Sequence, residues 1–321
     1  MAYNEIIGSA SVTDAMVPDQ TVKDILQEAP GKSVILERAR HVAMSKKKAK
    51  QPVLSSLPEA YWVDGETGLK QTTKAQWENM TITAEELAVI VPIPDALIDD
   101  SDVPLWTEIQ PLLTEAIGQK VDQAGLFGVD KPESWPTGLV PGAIAAKNTL
   151  AAGTNKDFGQ DVAELASLMS VGGVTVTGFA TRPGLQWKLV GMRDANGQPI
   201  YTQALAGQAP AGLYGFPIDE VRNGAWNAEA AELVAVDWSK VIVGVRQDIT
   251  YDLFKEGVIS DASGKVVLNL MQQDSKALRV VFRVGFQVAQ PLARVSGEKL
   301  YPAGVLTPAA GATGPGAGAS E

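Results

Sequence analysis

Asp64-Gly-Glu-Thr-Gly-Leu-Lys-Gln-Thr-Thr-Lys-Ala-Gln76 is a polar stretch set between two strand-like runs, Ala60–Val63 and Trp77–Val91. It opens with Asp-Gly turn chemistry and carries no core-forming periodicity. Residues Leu57 to Pro94 therefore read as one long hairpin-like arm. An isolated two-stranded ribbon is marginal in water. Tyr61, Trp62 and Trp77 are large apolar side chains on such an arm, and they need a surface to cover, on the body of this chain or on another copy. Assembly is thus the first expectation, with Tyr61, Trp62, Lys70, Lys74 and Trp77 as the arm residues that meet a neighbouring subunit.

Downstream, Val89-Ile-Val-Pro-Ile-Pro-Asp-Ala-Leu-Ile-Asp-Asp-Ser101 leads into a helical pattern. Leu105, Ile109, Leu112, Leu113, Ala116, Ile117, Val121 and Ala124 recur at spacings of three and four, which predicts one buried stripe. Pro104 suits a first helical turn, where its missing N–H costs little, whereas Pro111 lies inside the pattern. The expectation is a helix that begins properly only after Gln110. Residues 138 to 264 mix strand and helix signals with many glycines, as an α/β body would. Near the C-terminus Leu278, Val280, Phe282, Val284, Phe286 and Val288 alternate with Arg279, Arg283 and Gln287, the period of a one-sided sheet.

The order of these pieces resembles one family. Trp77-Glu-Asn-Met-Thr-Ile82, Pro92-Ile-Pro-Asp-Ala-Leu-Ile-Asp-Asp-Ser101, Ala116 to Gly128, Pro136 and Gly138-Leu139 follow one another as in the tailed-bacteriophage major capsid proteins of the Hong Kong 97-type fold. Leu185 to Leu189, Arg193-Asp-Ala-Asn-Gly-Gln-Pro199, Leu213-Tyr-Gly-Phe-Pro217, Val243 to Ile249 and Val284 to Ala293 continue the likeness, which covers Val34 to Leu306. The resemblance implies an α+β fold. Its parts are an N-arm (1–50), an E-loop with its base (51–87), a P-domain with a spine helix and an elongated antiparallel sheet (88–137 and 265–288), an A-domain with a central sheet and flanking helices (138–264 and 289–306), and a flexible tail (307–321).

The same resemblance implies a structural role. Pentamers and hexamers of the chain would form an icosahedral head around double-stranded DNA, without sequence-specific binding and without a membrane. The shell would assemble in the host bacterial cytoplasm, with portal and decoration proteins as further partners. Residues 1–50 are too few for a fused scaffolding segment, so the expectation is a separate scaffolding protein or none. An encapsulin-like compartment, with the same fold and protein cargo, is the alternative within the fold, and an α/β soluble enzyme is the alternative outside it.

Some members of the family join an E-loop lysine to an asparagine in a neighbour's P-domain with help from a glutamate. Lys70, seven residues before Trp77, matches the lysine. Asp274 stands where the asparagine should be and Val281 where the glutamate should be, although Asn269 and Gln273 are near enough for a shifted register. Without a carboxylate to take its proton, an amine with a pKa of roughly 10.4 is a poor nucleophile. Non-covalent shells are expected, and a cross-link of Lys70 with Asn269 or Asp274 is disfavoured.

Composition agrees with a shell protein and narrows the rest. A formal charge of −10 opposes nucleic-acid binding, which needs Lys and Arg to displace counterions. One basic run, Lys46-Lys-Lys-Ala-Lys50, breaks the pattern, and it reads equally as a solvated face or as a contact with DNA, a scaffold or an acidic neighbour. With no cysteine there is no disulfide framework and no thiolate metal site. Met1 to Ile7 lacks the features of a signal peptide, and no run approaches the roughly 18 apolar residues of a spanning helix, so a soluble protein is expected. Val17 to Glu28 contains a short amphipathic helix candidate with Thr21 near its cap, ended by Pro30-Gly31.

Catalytic chemistry finds no foothold. His41 is the single histidine and no triad partner accompanies it. Gly264-Lys-Val266 lacks the rest of a phosphate loop. Asp95, Asp99, Asp100 and Asp102 form the densest acidic cluster, but they stand beside a helix start, where Ser101 or Asp102 can cap and negative charge suits the dipole. We assign no catalytic, cofactor-binding or metal residue.

Overall fold

The computed structural model describes residues 32–56, 58, 60, 62–63, 72–73, 76–100, 105–155, 157–191, 212–261, 263–294 and 297–309. A short helix, α1 (Val34–Arg38), is capped by Ser33, whose hydroxyl accepts from the Leu36 N–H. Strands β1 (Arg40–Ala43), β2 (Lys48–Ser56) and β3 (Gln76–Pro94) follow, then α2 (Asp95–Asp100) and the spine helix α3 (Leu105–Asp122), which runs on into a π-helical turn at Gln123–Phe127. After α4 (Leu139–Ala145) come β4 (Thr149–Ala151), α5 (Phe158–Gly172), β5 (Gly178–Thr181), α6 (Leu185–Gly191), β6 (Gly212–Leu213), β7 (Phe216–Glu220) and β8 (Leu233–Val236). The chain finishes with β9 (Val241–Phe254), β10 (Val258–Ser260), β11 (Val266–Asn269), β12 (Ser275–Val288) and β13 (Ala303–Thr307).

Two large sheets organise these elements. The first has the order β1-β9-β12-β3-β2, and the second β4-β13-β8-β5-β7-β6. Strand β3 belongs to two pairings: its first part, up to Thr83, runs antiparallel to β2, and from Ala84 onward it runs antiparallel to β12. The handover falls at Gly285, which sits opposite both Ala84 and Gly244. A Cβ there would come within 2.7 Å of the Thr83 carbonyl oxygen, so the close approach of backbones requires glycine.

The alternation read in β12 is present. Leu278, Val280, Phe282, Val284, Phe286 and Val288 are all buried, and Arg279, Arg283 and Gln287 are only partly so. Their apolar face packs on the spine helix through Ile117, Val121 and Leu126, and the same core takes in Val234 and Val236 of β8. The other face of β8, Leu233 and Ala235, meets a second core built by Val162, Leu165 and Met169 of α5 and Leu185 and Leu189 of α6. Period-two alternation in one short strand thus joins two layers.

Several expectations change. Ala60, Trp62 and Val63 carry no strand; the arm's first strand is β2, which lies earlier at Lys48–Ser56, where backbone pairing to β3 is available. Pro111 does not delay the spine helix, which starts at Leu105 and holds the proline inside its first two turns. In the predicted stripe Leu113, Ile117, Val121 and Ala124 are buried, but Leu112 is 43% exposed. Strand β9, grouped by the sequence reading with residues 138–264, pairs instead with β12 in the first sheet. The short acidic segment Asp95–Asp100 is itself a helix, tied to β12 by Lys276–Asp95 at 3.1 Å. Ser101, Asp102 and Pro104 lie outside the described residues, as do the helix candidate at 17–28 and the tail from 310 on.

Candidate assembly surfaces

The ribbon made by β2 and the first part of β3 follows from strand chemistry on one side only. Ala49 faces a small core of Met44, Ile82, Ala84, Ile242 and Ala289, with Met80 packed beside it. Farther out the ribbon has less to lean on. Leu54 lies opposite Trp77, and the register slips between Leu54 and Ser56, a break that bends a strand. Polar links hold the ribbon to the body: Lys299 to Glu78 at 2.7 Å, and the Gln287 amide donating to the Thr81 carbonyl at 3.0 Å. At its root Ser134 donates to Glu85 at 2.8 Å and Lys47 pairs with it at 3.2 Å. The Ser134 hydrogen bond, aided by Lys47, holds the Glu85 carboxyl below its ordinary range.

Apolar surface gathers at the end of this ribbon. Trp62 is 100% exposed and Trp77 67%. A soluble monomer rarely leaves such side chains uncovered together. Tyr61, Lys70 and Lys74 lie outside the described residues. Of the basic run, Lys46, Lys48 and Lys50 are exposed.

A second apolar surface was missed by sequence reasoning. The long strands β9 and β12 continue into the β10–β11 hairpin, where Val258, Val266, Val267 and Met271 are all more than half exposed. Val266-Val-Leu-Asn269 is a strand-like apolar run, and its hairpin position was the available signal. Asn269 is at the base of this hairpin, its side-chain oxygen 3.4 Å from the Gln272 N–H. Asp274 has a positive φ of 41° and its carbonyl accepts from Asp95 N–H at 2.8 Å. Val281, at the place of the assisting glutamate, is buried.

Asp122 is the other residue the sequence reading passed over. It ends the spine helix on the buried side and accepts four hydrogen bonds: from the Ser33 hydroxyl at 2.7 Å, the Val34 and Ile35 N–H groups at 3.2 and 3.1 Å, and the Asn223 amide at 2.7 Å. It therefore ties the start of α1, the spine and the segment after β7. Burial pushes its carboxyl above the ordinary range, although all four donors pull the other way. A lone aspartate between Val121 and Ala124 in an apolar stripe was the sequence signal.

His41 Nε2 lies 2.6 Å from the Leu36 carbonyl oxygen, a structural contact. No group of three or more His, Cys, Asp and Glu among the described residues is placed to hold a metal ion, and no helix among them is long and apolar enough to cross a membrane.

The phage capsid family model matches residues 13–298. The chain belongs to the phage capsid family. It is similar to the major capsid protein of Staphylococcus phage 80alpha, with 26% identity over 294 residues, 90% of this chain and 86% of that protein. Among solved structures, a chain of Microbacterium phage Oxtober96 superposes with a TM-score of 0.81 at 35% identity, covering 95% of this chain and all of that one. A chain of Mycobacterium phage Cain gives 0.81 at 33% identity, covering 95% and 99%. This capsid protein has the Hong Kong 97-type fold and is a structural component of the virion, not an enzyme. Its surfaces serve homo-oligomeric capsid assembly.

Proposed function

We propose that this capsid protein is the major shell subunit, that it forms pentamers and hexamers which close into an icosahedral head, and that the head encloses the phage's double-stranded DNA. The body around α3, β3, β9 and β12 acts as the P-domain and the body around the six-stranded sheet as the A-domain, surrounding the capsomer axis. The β2–β3 ribbon is the base of an E-loop spanning residues 51–87 that lies over the adjacent subunit, with Tyr61, Trp62, Lys70, Lys74 and Trp77 as its contact residues. Assembly takes place in the host cytoplasm.

One observation carries this reading: a ribbon projecting from its core exposes Trp62 completely and Trp77 by two-thirds. Covering such side chains removes apolar area from water at about 25 cal/mol per Å². Repetition of that contact around closed symmetry axes gives a shell from a marginal pairwise interaction. The acidic chain disfavours tight adhesion of the enclosed polyanion.

The test is electron microscopy of the expressed chain beside a variant lacking residues 64–76. The full chain is expected to give closed shells, and the deletion a folded, soluble protein that gives none. Shells of normal size and heat resistance from the deletion would overturn the E-loop assignment.

A further inference from the structure

Strand β2 is one edge of the first sheet. Its register with β3 runs unbroken from Lys48 to Leu54, straight through Pro52. Proline has no N–H to give to a ladder, so it is tolerated where that bond would point away from the partner strand. Backbone groups of an antiparallel strand alternate between its two sides. The free backbone groups of Lys48 and Lys50 therefore share the open edge with Pro52. Ala49, between the two lysines, packs toward the small core beside the ribbon, so the lysine side chains stand on the opposite face, about 7 Å apart. Lys46, Lys48 and Lys50 are exposed and join no ion pair with any described residue, whereas Lys47 pairs with Glu85 at 3.2 Å.

We infer that this edge is an electrostatic docking strip, on which Lys46, Lys48 and Lys50 receive carboxylates of a second copy of the chain. Charge complementarity selects that partner. The chain has 37 acidic against 27 basic side chains, so every copy offers a surplus of carboxylates, and copies that present only that surplus repel one another. Unpaired lysines on the ribbon that also exposes Trp77 supply attraction where two copies meet. Fusion of strands is closed off, because an incoming strand would meet two lysines and a residue without a donor, the devices that keep sheet edges apart. The neighbour is met through side chains alone. Duplex DNA fits less well: so few lysines displace few counterions, and Glu78 and Glu85 stand on the adjacent strand. The inference rests on the ribbon being an arm laid over a neighbour, and adds the chemistry that holds its edge.

The test mixes unlabelled and heavy-nitrogen-labelled chain, lets the mixture associate, and treats it with a carbodiimide, which condenses an amine with a touching carboxylate into an amide. Peptides holding Lys48 or Lys50 should be joined to Asp or Glu peptides of the other isotopic label. Links from these lysines only within one chain, or none at all, overturn the inference. Closed shells without such links sink this inference alone, and links in open oligomers that never close sink the shell reading alone. The second measurement is the association rate of a variant carrying Lys46→Gln, Lys48→Gln and Lys50→Gln. It should be about tenfold below that of the unchanged chain at low salt, and the gap should close at about 1 M salt, where charges are screened within about 3 Å. Equal rates at low salt overturn the inference, as does duplex DNA that binds the unassembled chain and is lost in the variant.

Discussion

Replacing Asp122 with asparagine keeps the shape of the side chain and changes only what it offers its partners. Each carboxylate oxygen accepts two hydrogen bonds, one from Ser33 and Ile35, the other from Val34 and Asn223. Asparagine presents one oxygen and one NH₂, so two of the four donors would face another donor. A buried donor left without a partner costs about 1–3 kcal/mol, which sets the loss at about 2–6 kcal/mol. Removing the charge works in the opposite direction, because burial outweighs the donors at this carboxyl. The expected net destabilisation at pH 7 is therefore in the lower part of that range, about 2–4 kcal/mol.

The pH dependence follows from the same direction. With its folded pKa raised, Asp122 contributes stability that is fully present below the ordinary carboxylate value of about 4 and is lost as pH rises through the raised value. The asparagine variant has no such slope, and the other carboxylates cancel in the difference between the two proteins. Urea unfolding of unassembled protein across pH 4 to 8 measures the gap directly. It should narrow as pH rises and remain positive at pH 7. Equal stability at pH 7, or a gap that widens with pH, would refute the reasoning: the first denies the donor count, the second shows that the donors overcome burial.

Phe282→Asp places a charge on the face of β12 that packs on the spine helix, where Phe282 is 3% exposed. An unpaired buried ion costs several kcal/mol, so the variant should yield insoluble chain, and a soluble protein with native circular dichroism would show that the strand's faces are assigned wrongly. For the covalent question, denaturing electrophoresis of assembled shells should give a single band near 33.9 kDa, because Val281 offers no carboxylate to take a proton from Lys70. A ladder of multiples that disappears in Lys70→Ala would establish the cross-link.

Much of the fold was legible because its signals are local. Alternation in residues 278–288 is a property of the strand itself, and so is the three-and-four spacing from Leu113 to Ala124. The arm declared itself by contrast, tryptophans beside a segment with no core periodicity. Where local signals competed, tertiary context decided. Pro111 costs the helix one hydrogen bond, the one an N–H at 111 would make to the Thr107 carbonyl, and burial of Leu113 and Ile117 outweighs that loss and holds the helix from Leu105 onward. Leu112 fits the stripe by number and still faces outward, since a helix of 3.6 residues per turn cannot bring both Leu112 and Leu113 fully onto one face. The pairing of β9 with β12 joins residues 23 to 47 apart in sequence by backbone bonds that no side-chain pattern encodes. Asp122 shows the same division most plainly. Its presence in an apolar stripe is written in the sequence, but its four donors come from positions 33 to 35 and 223, and only the folded chain brings them to one carboxylate.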